Sequence, residues 1–190
     1  MPVLSPELRA DAERILARYP EGRQRSAIMP LLYLVQSAEG RVTREGLREV
    51  ADLLGLKTAE VEAVASFYTM LRLRPTGRYV ISVCTNLACA LRGATDVYAK
   101  ARDLLGAGSE DVTEDGVFTL HEEECLGACD AAPVVQVNFA NYDRTTPEGI
   151  VGLIEALRRD EPPEPSRGSF PGEFTQASRI LAGLEPEGKR

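Results

Sequence analysis

The chain's capacity for chemistry is concentrated in four cysteines, and they come in two pairs. Cys84 and Cys89 stand in "CTNLAC", and Cys125 and Cys129 in "ECLGAC"; there are no others among the 190 residues. Four uses are open to them: two disulfides, a redox dithiol, a zinc site or an iron–sulfur cluster. A redox dithiol of the thioredoxin kind requires Cys-x-x-Cys, in which one thiolate attacks and the other resolves. Neither pair has that spacing, since four residues separate the first two cysteines and three the second two. Disulfides are allowed by the even count, but the N-terminus "MPVLSPELRADAERI" has no apolar export core.

Zinc and iron–sulfur sites both take four thiolates. Structural zinc favours tighter knuckles, whereas iron–sulfur loops tolerate wider ones, so spacing alone leaves both in play. Loop composition tilts the balance. Thr85, Asn86, Leu87 and Ala88 fill one gap and Leu126, Gly127 and Ala128 the other, all of them uncharged. A four-thiolate [2Fe–2S] core is anionic, and backbone N–H groups stabilise it where small residues such as Gly127 let the chain approach. The helix predicted after the first loop also turns its positive end toward the site. A Rieske centre needs two histidines, and His121 is the only one.

The elements that must hold these residues follow from periodicity. From Ser5 to about Leu73 the apolar period is helical. Ser5-Pro6 caps a first helix; a second runs from about Ser26 to Ala38 and stops near Gly40. A third follows Thr43 and ends at Gly55, and a fourth follows Thr58 with Val61, Val64, Ala65 and Tyr68 facing inward. The turn "RPTG" at 74–77 marks a boundary. Beyond it, 78–83, 117–121 and 134–138 read as strands, and 94–105 and 149–159 as helices, the last started by Thr146-Pro147-Glu148. The expected fold class is α+β: a four-helix bundle over 1–75, then a thioredoxin-like α/β domain over 76–160 in β-α-β-β-α order. The stretch 161–190, opening with the Pro- and Glu-rich "EPPEPSRGSFPGEF", is expected to be an extended tail.

Composition narrows the function. Hydrophobic content of 44% and charged content of 27% are ordinary for a globular protein. The longest apolar run, "AIMPLLYLV", falls well short of the roughly 20 residues that span a bilayer, so no direct membrane insertion is expected. A net charge of −7 argues against binding phosphate backbones. The segment "VTREGLREVADLLGLKTAEVEAVASFY" has a helix-turn-helix outline, yet its second helix carries Glu60 and Glu62 and no base-reading Arg, Lys or Asn. His121 reads as a surface or strand-end residue, and Glu122 to Glu124 as a solvated turn. Pro133, just before "VVQVN", stands where thioredoxin-like folds carry a cis proline.

Taken together, "SVCTNLACALRGA", "DGVFTLHEEECLGACDAAPVVQVN" and "YDRTTPEGI" closely resemble the peripheral [2Fe–2S] subunit of bacterial respiratory complex I, the E-subunit family of the NADH-quinone oxidoreductases. The segment "VEAVASFYTMLRLRPTGRYVI" fits as well, and the resemblance runs from about Ser5 to Arg159. It implies that Cys84, Cys89, Cys125 and Cys129 ligate one [2Fe–2S] cluster. It implies electron transfer within an NADH-oxidising complex, with FMN and NADH bound only by a partner flavoprotein subunit and no substrate site on this chain. Other peripheral-arm subunits would be further partners, and the chain would work on the cytoplasmic side of the inner membrane. The same module serves NAD-linked hydrogenases and formate dehydrogenases. A zinc-stabilised interaction module is the alternative of a different class.

Overall fold

Several helices in this chain begin where a side-chain oxygen is available to close the first turn. Ser5 accepts the Leu8 N–H ahead of α1 (Pro6–Leu16). A 3-10 turn, Gln24–Ala27, leads into α2 (Ile28–Glu39), whose Pro30 lies in the first turn, where a missing N–H breaks no helical bond. Thr43 accepts the Gly46 N–H ahead of α3 (Arg44–Leu54), and Glu60 accepts the Lys57 N–H at the start of α4 (Thr58–Phe67). Gly40 and Gly55 close α2 and α3 in the left-handed conformation. The structure is a computed structural model describing residues 2–109 and 111–185. It divides into two units, one formed by the chain up to Pro75 and from Thr175 onward, the other by Thr76–Phe174.

In the first unit α2 is the central rod, with Leu31 through Gln36 all buried. Ile15 of α1, Leu47 and Val50 of α3, and Val61 and Ala65 of α4 pack in the same core. Tyr68, expected to face inward, is exposed instead. The backbone has already left the helix at that residue (φ −96°, ψ 112°), so the helical period no longer aims its side chain. The described part of 161–190 is not the extended tail that its composition suggests. Phe174–Leu181 is helical, and Ala182 and Leu184 belong to the core of the first unit. Buried Gln36 holds this segment: its Nε2 donates to Ser178 Oγ (3.1 Å) and to the Met70 carbonyl (3.2 Å), while Oε1 accepts the Arg72 N–H (2.7 Å). Arg179 meets Asp11 at 2.7 Å. A helix this short takes its stability from tertiary packing, which composition does not report.

The second unit is built on a four-stranded sheet in the order β2-β1-β3-β4. Its elements, in chain order, are β1 (Tyr79–Cys84), α5 (Leu87–Ala90), α6 (Ala94–Leu105), β2 (Phe118–Glu123), β3 (Val135–Val137), β4 (Ala140–Tyr142) and α7 (Pro147–Arg158), after which Phe174 opens α8 (Phe174–Leu181). β1 and β2 are parallel; β3 runs antiparallel to β1, and β4 to β3. Tyr79, Ile81 and Val83 on alternate positions of β1 pack with Val97 and Ala101 of α6 and Ile150, Ile154 and Leu157 of α7. β4 is a strand that the sequence pattern does not announce. Its hairpin loop is Asn138-Phe139, both with positive φ (49° and 72°), as a two-residue primed turn requires. Asn138 satisfies that turn from within, its Oδ1 accepting the Val80 N–H and its Nδ2 donating to the Arg78 and Gly172 carbonyls.

Replacing Gln36 by Leu keeps the volume but removes the acceptor of the Arg72 N–H and the donor to the Met70 carbonyl and the Ser178 hydroxyl. It should lower unfolding free energy by about 2–3 kcal/mol in urea denaturation, with the loss expressed in the first unit.

Candidate metal centre

The first cysteine is set by a strand end. Cys84 is the last residue of β1, buried, with its N–H bonded to the Val134 carbonyl (3.1 Å); the ladder then continues one step as Thr85 N–H meets the Glu123 carbonyl (3.0 Å). The chain turns at Asn86, which caps α5, and α5 carries Cys89 inward at 1% exposure. The second pair leaves from the neighbouring parallel strand. β2 ends at Glu123, and Cys125 follows two residues later. Gly127 then takes φ +73°, where a Cβ would touch no protein atom. Its role is therefore the left-handed backbone of the turn, not the close approach that its small size suggests in sequence. Cys129 opens a 3-10 turn, Cys129–Ala131, and the Ala132–Pro133 peptide is cis.

These loops meet. Cys84 Sγ lies 3.6 Å from the Glu124 carbonyl, and Asn86 Nδ2 lies 3.5 Å from Glu124 Oε2. Cys84, Cys89, Ala94, Ala128, Ala132 and Val134 form one small apolar cluster, with Ala88 and Leu126 at its edge. All four cysteines are free. Cys125 and Cys129, both exposed, have sulfurs 4.0 Å apart, far beyond a disulfide. Burial pushes the Cys89 thiol up to about 11, reinforced by its hydrogen bond with Cys84 and opposed by one from the Val134 backbone. The Cys129 thiol is also raised, first by its hydrogen bond with Cys125 and then by the charge of that neighbour. Ala128, the residue before Cys129, packs in the same cluster as Cys84 and Cys89, so the two loops bring their cysteine pairs together.

The donor set is sulfur alone. Among the described residues no group of three or more His, Cys, Asp or Glu side chains is already gathered as a metal-ion site. Two facing pairs of thiols fit a group with two metal centres, each taking two sulfurs. His121 stands apart in β2 opposite Ser82 and is buried, not the surface or strand-end residue expected; Glu122 and Glu123 likewise continue the strand because β1 pairs with it as far as Cys84. Sequence reasoning missed a clasp behind Cys129. Arg167 pairs with Asp143 (3.0 Å) and Asp130 (3.5 Å), Asp143 N–H meets Ser166 Oγ (2.8 Å), and Tyr142 OH donates to the Pro163 carbonyl (2.9 Å). These partners lie 21 to 37 residues apart in sequence, a range at which no local pattern signals a contact.

The profile of the thioredoxin-like [2Fe–2S] ferredoxins matches residues 12–158. The chain belongs to that family. The E subunit of the NADH-quinone oxidoreductase of Mycobacterium tuberculosis is 51% identical over 177 residues, covering 93% of this chain and 69% of its own length. The second subunit of the NADH-quinone oxidoreductase of Thermus thermophilus is 42% identical over 147 residues, covering 77% of this chain and 81% of that relative. Within the ferredoxin family the chain therefore groups with the E subunits of NADH-quinone oxidoreductases. An NAD+-reducing [NiFe]-hydrogenase, crystallised in the air-oxidized state, shares its fold with a TM-score of 0.60 at 23% identity, over 70% of this chain and 23% of the hydrogenase chain. Among the described residues no helix is long and apolar enough to cross a membrane.

In the metal-free ferredoxin the exposed and buried thiols should separate by reactivity. Iodoacetamide at pH 8 should label the Cys125/Cys129 pair first and Cys89 last, because burial both blocks access and keeps that thiol protonated. Peptide mass spectrometry over time reads the order.

Proposed function

We propose that this chain is the electron-transfer subunit of an NADH-quinone oxidoreductase, with Cys84, Cys89, Cys125 and Cys129 holding one [2Fe–2S] cluster. The observation that carries the reading is the delivery of two facing cysteine pairs to neighbouring ends of the parallel strands β1 and β2. When bound, such a cluster supplies one-electron transfer, with a potential set by charge, burial and hydrogen bonds to sulfur. The chain's own contribution is to bring four thiols to one end of the sheet, where the cluster would take them up as thiolates. It shields Cys84 and Cys89 from water with Ala94, Ala128, Ala132 and Val134, and it directs the Val134 backbone at the Cys89 sulfur.

The donor and acceptor under this reading is FMN on a partner flavoprotein subunit that also binds NADH, alongside other peripheral-arm subunits on the cytoplasmic side of the inner membrane. The 51% identity to the mycobacterial E subunit supports that host over a hydrogenase, whose likeness is one of fold at 23% identity.

Anaerobically purified protein should carry about two irons and two sulfides per chain, absorb in the visible, and give an EPR signal after dithionite reduction. Cys84→Ala and Cys129→Ala should each abolish the EPR signal. Colourless protein with one zinc per chain, unchanged by iron and sulfide reconstitution, would overturn the cluster.

A further inference from the structure

We infer that Arg167 is a positioning residue that tunes the reduction potential of the cluster: acting through Asp130, its guanidinium offsets the carboxylate charge beside the ligand Cys129 and favours the reduced state. The inference rests on the electron-transfer reading above and gives a role to a residue outside both cysteine loops. Arg167 pairs with two carboxylates, Asp143 at 3.0 Å and Asp130 at 3.5 Å. Asp130 directly follows Cys129 in the 3-10 turn Cys129–Ala131. One peptide step and one ion pair therefore separate the guanidinium from the ligand, a distance on the order of 10 Å.

The backbone on both sides of this ion pair is fixed by other bonds. Ser166 N–H donates to the Asn141 carbonyl (2.7 Å), and Ser166 Oγ accepts the Asp143 N–H (2.8 Å), so the chain is anchored at the edge strand β4 one residue ahead of Arg167. Upstream, Tyr142 OH donates to the Pro163 carbonyl, and Pro162, Pro163 and Pro165 restrict the segment between. Across the pair, Arg144 N–H donates to the Ala131 carbonyl (2.9 Å) and Thr145 N–H to the Pro133 carbonyl (3.0 Å), which ties the Cys129 turn to the segment after β4.

Against that frame the ion pair contributes modestly to stability, because Arg167 and Asp130 are 48% and 80% exposed. Its larger effect is on charge. Glu124 and Asp130 are exposed on either side of the Cys125–Cys129 loop, and reduction adds further negative charge there. A guanidinium held at this place lowers the cost of that added charge. Asp143 strengthens the argument: its Oδ1 is buried without a hydrogen-bond partner, so Arg167 offsets that carboxylate as well.

The test uses the full chain loaded with iron and sulfide, titrated potentiometrically at low ionic strength with the EPR signal as readout. Arg167→Gln should lower the midpoint. At the parent's midpoint its ratio of reduced to oxidised cluster should fall about twofold, which is about 18 mV for one electron. Asp130→Asn should move the midpoint the opposite way. Both variants break the same ion pair, so a purely structural contact would shift them in the same direction. Arg167→Lys keeps the charge and should stay close to the parent, and added salt should shrink both shifts. An unchanged or raised midpoint in Arg167→Gln would overturn the inference, as would shifts of one sign in both variants or loss of the cluster from Arg167→Gln. A parent that takes up no iron and sulfide would refute the electron-transfer reading and this inference together; a loaded parent whose midpoint ignores Arg167 would refute this inference alone.

Discussion

Parallel pairing of β1 with β2 is the constraint on which the site depends. Parallel strands point their carboxyl ends in the same direction, so loops that follow them emerge side by side. Here the register brings Cys84 opposite Glu123, and the bond from Thr85 N–H to the Glu123 carbonyl carries the pairing one step past the strand. Cys84 and Cys125, far apart in the chain, thereby start two loops at one end of the sheet. An antiparallel pairing would send those loops to opposite ends and separate the thiols. The Val134 carbonyl, accepting the Cys84 N–H, closes the third side from the segment leading into β3.

Beneath that end the core of α6 and α7 grips alternate residues of β1, and Cys84 falls on the other set of positions from Tyr79, Ile81 and Val83. The strand's alternation thus sends Cys84 away from the core that Tyr79, Ile81 and Val83 share with Val97 and Ile154, and into its own small cluster of alanines and Val134. Burial then differentiates the thiols: Cys84 and Cys89 are enclosed, while Cys125 and Cys129 face outward on a loop that turns through Gly127. One half of the site is held by the sheet and the other is open at the surface. The clasp of Arg167 with Asp130 and Asp143 steadies the open half, with Asp130 directly following Cys129.

Much of this was legible from local chemistry. Ser5, Thr43 and Thr146 signalled helix starts because a capping oxygen acts over three residues, and Gly40 and Gly55 signalled ends for the same short-range reason. The cysteines were conspicuous by spacing and by the small uncharged residues between them. β4 escaped because Asn138-Phe139 is an unusual pair for a primed turn, stabilised by bonds from Asn138 to Arg78, Val80 and Gly172. The tail was misread because its proline-rich opening hides a helix whose partners, Gln36 and Asp11, are more than 140 residues away.

By itself, then, the sequence singled out the two cysteine pairs as the candidates for chemistry and marked, through capping residues, where several helices start and stop. Those are consequences of side-chain type and of interactions a few residues long. Only the tertiary structure decided that the pairs face each other, that one is buried and the other open, that His121 lies within the sheet, and that Arg167 backs the Cys129 loop. Each of these depends on a strand register or on a pairing between distant segments, and such contacts arise only when the whole unit buries its core.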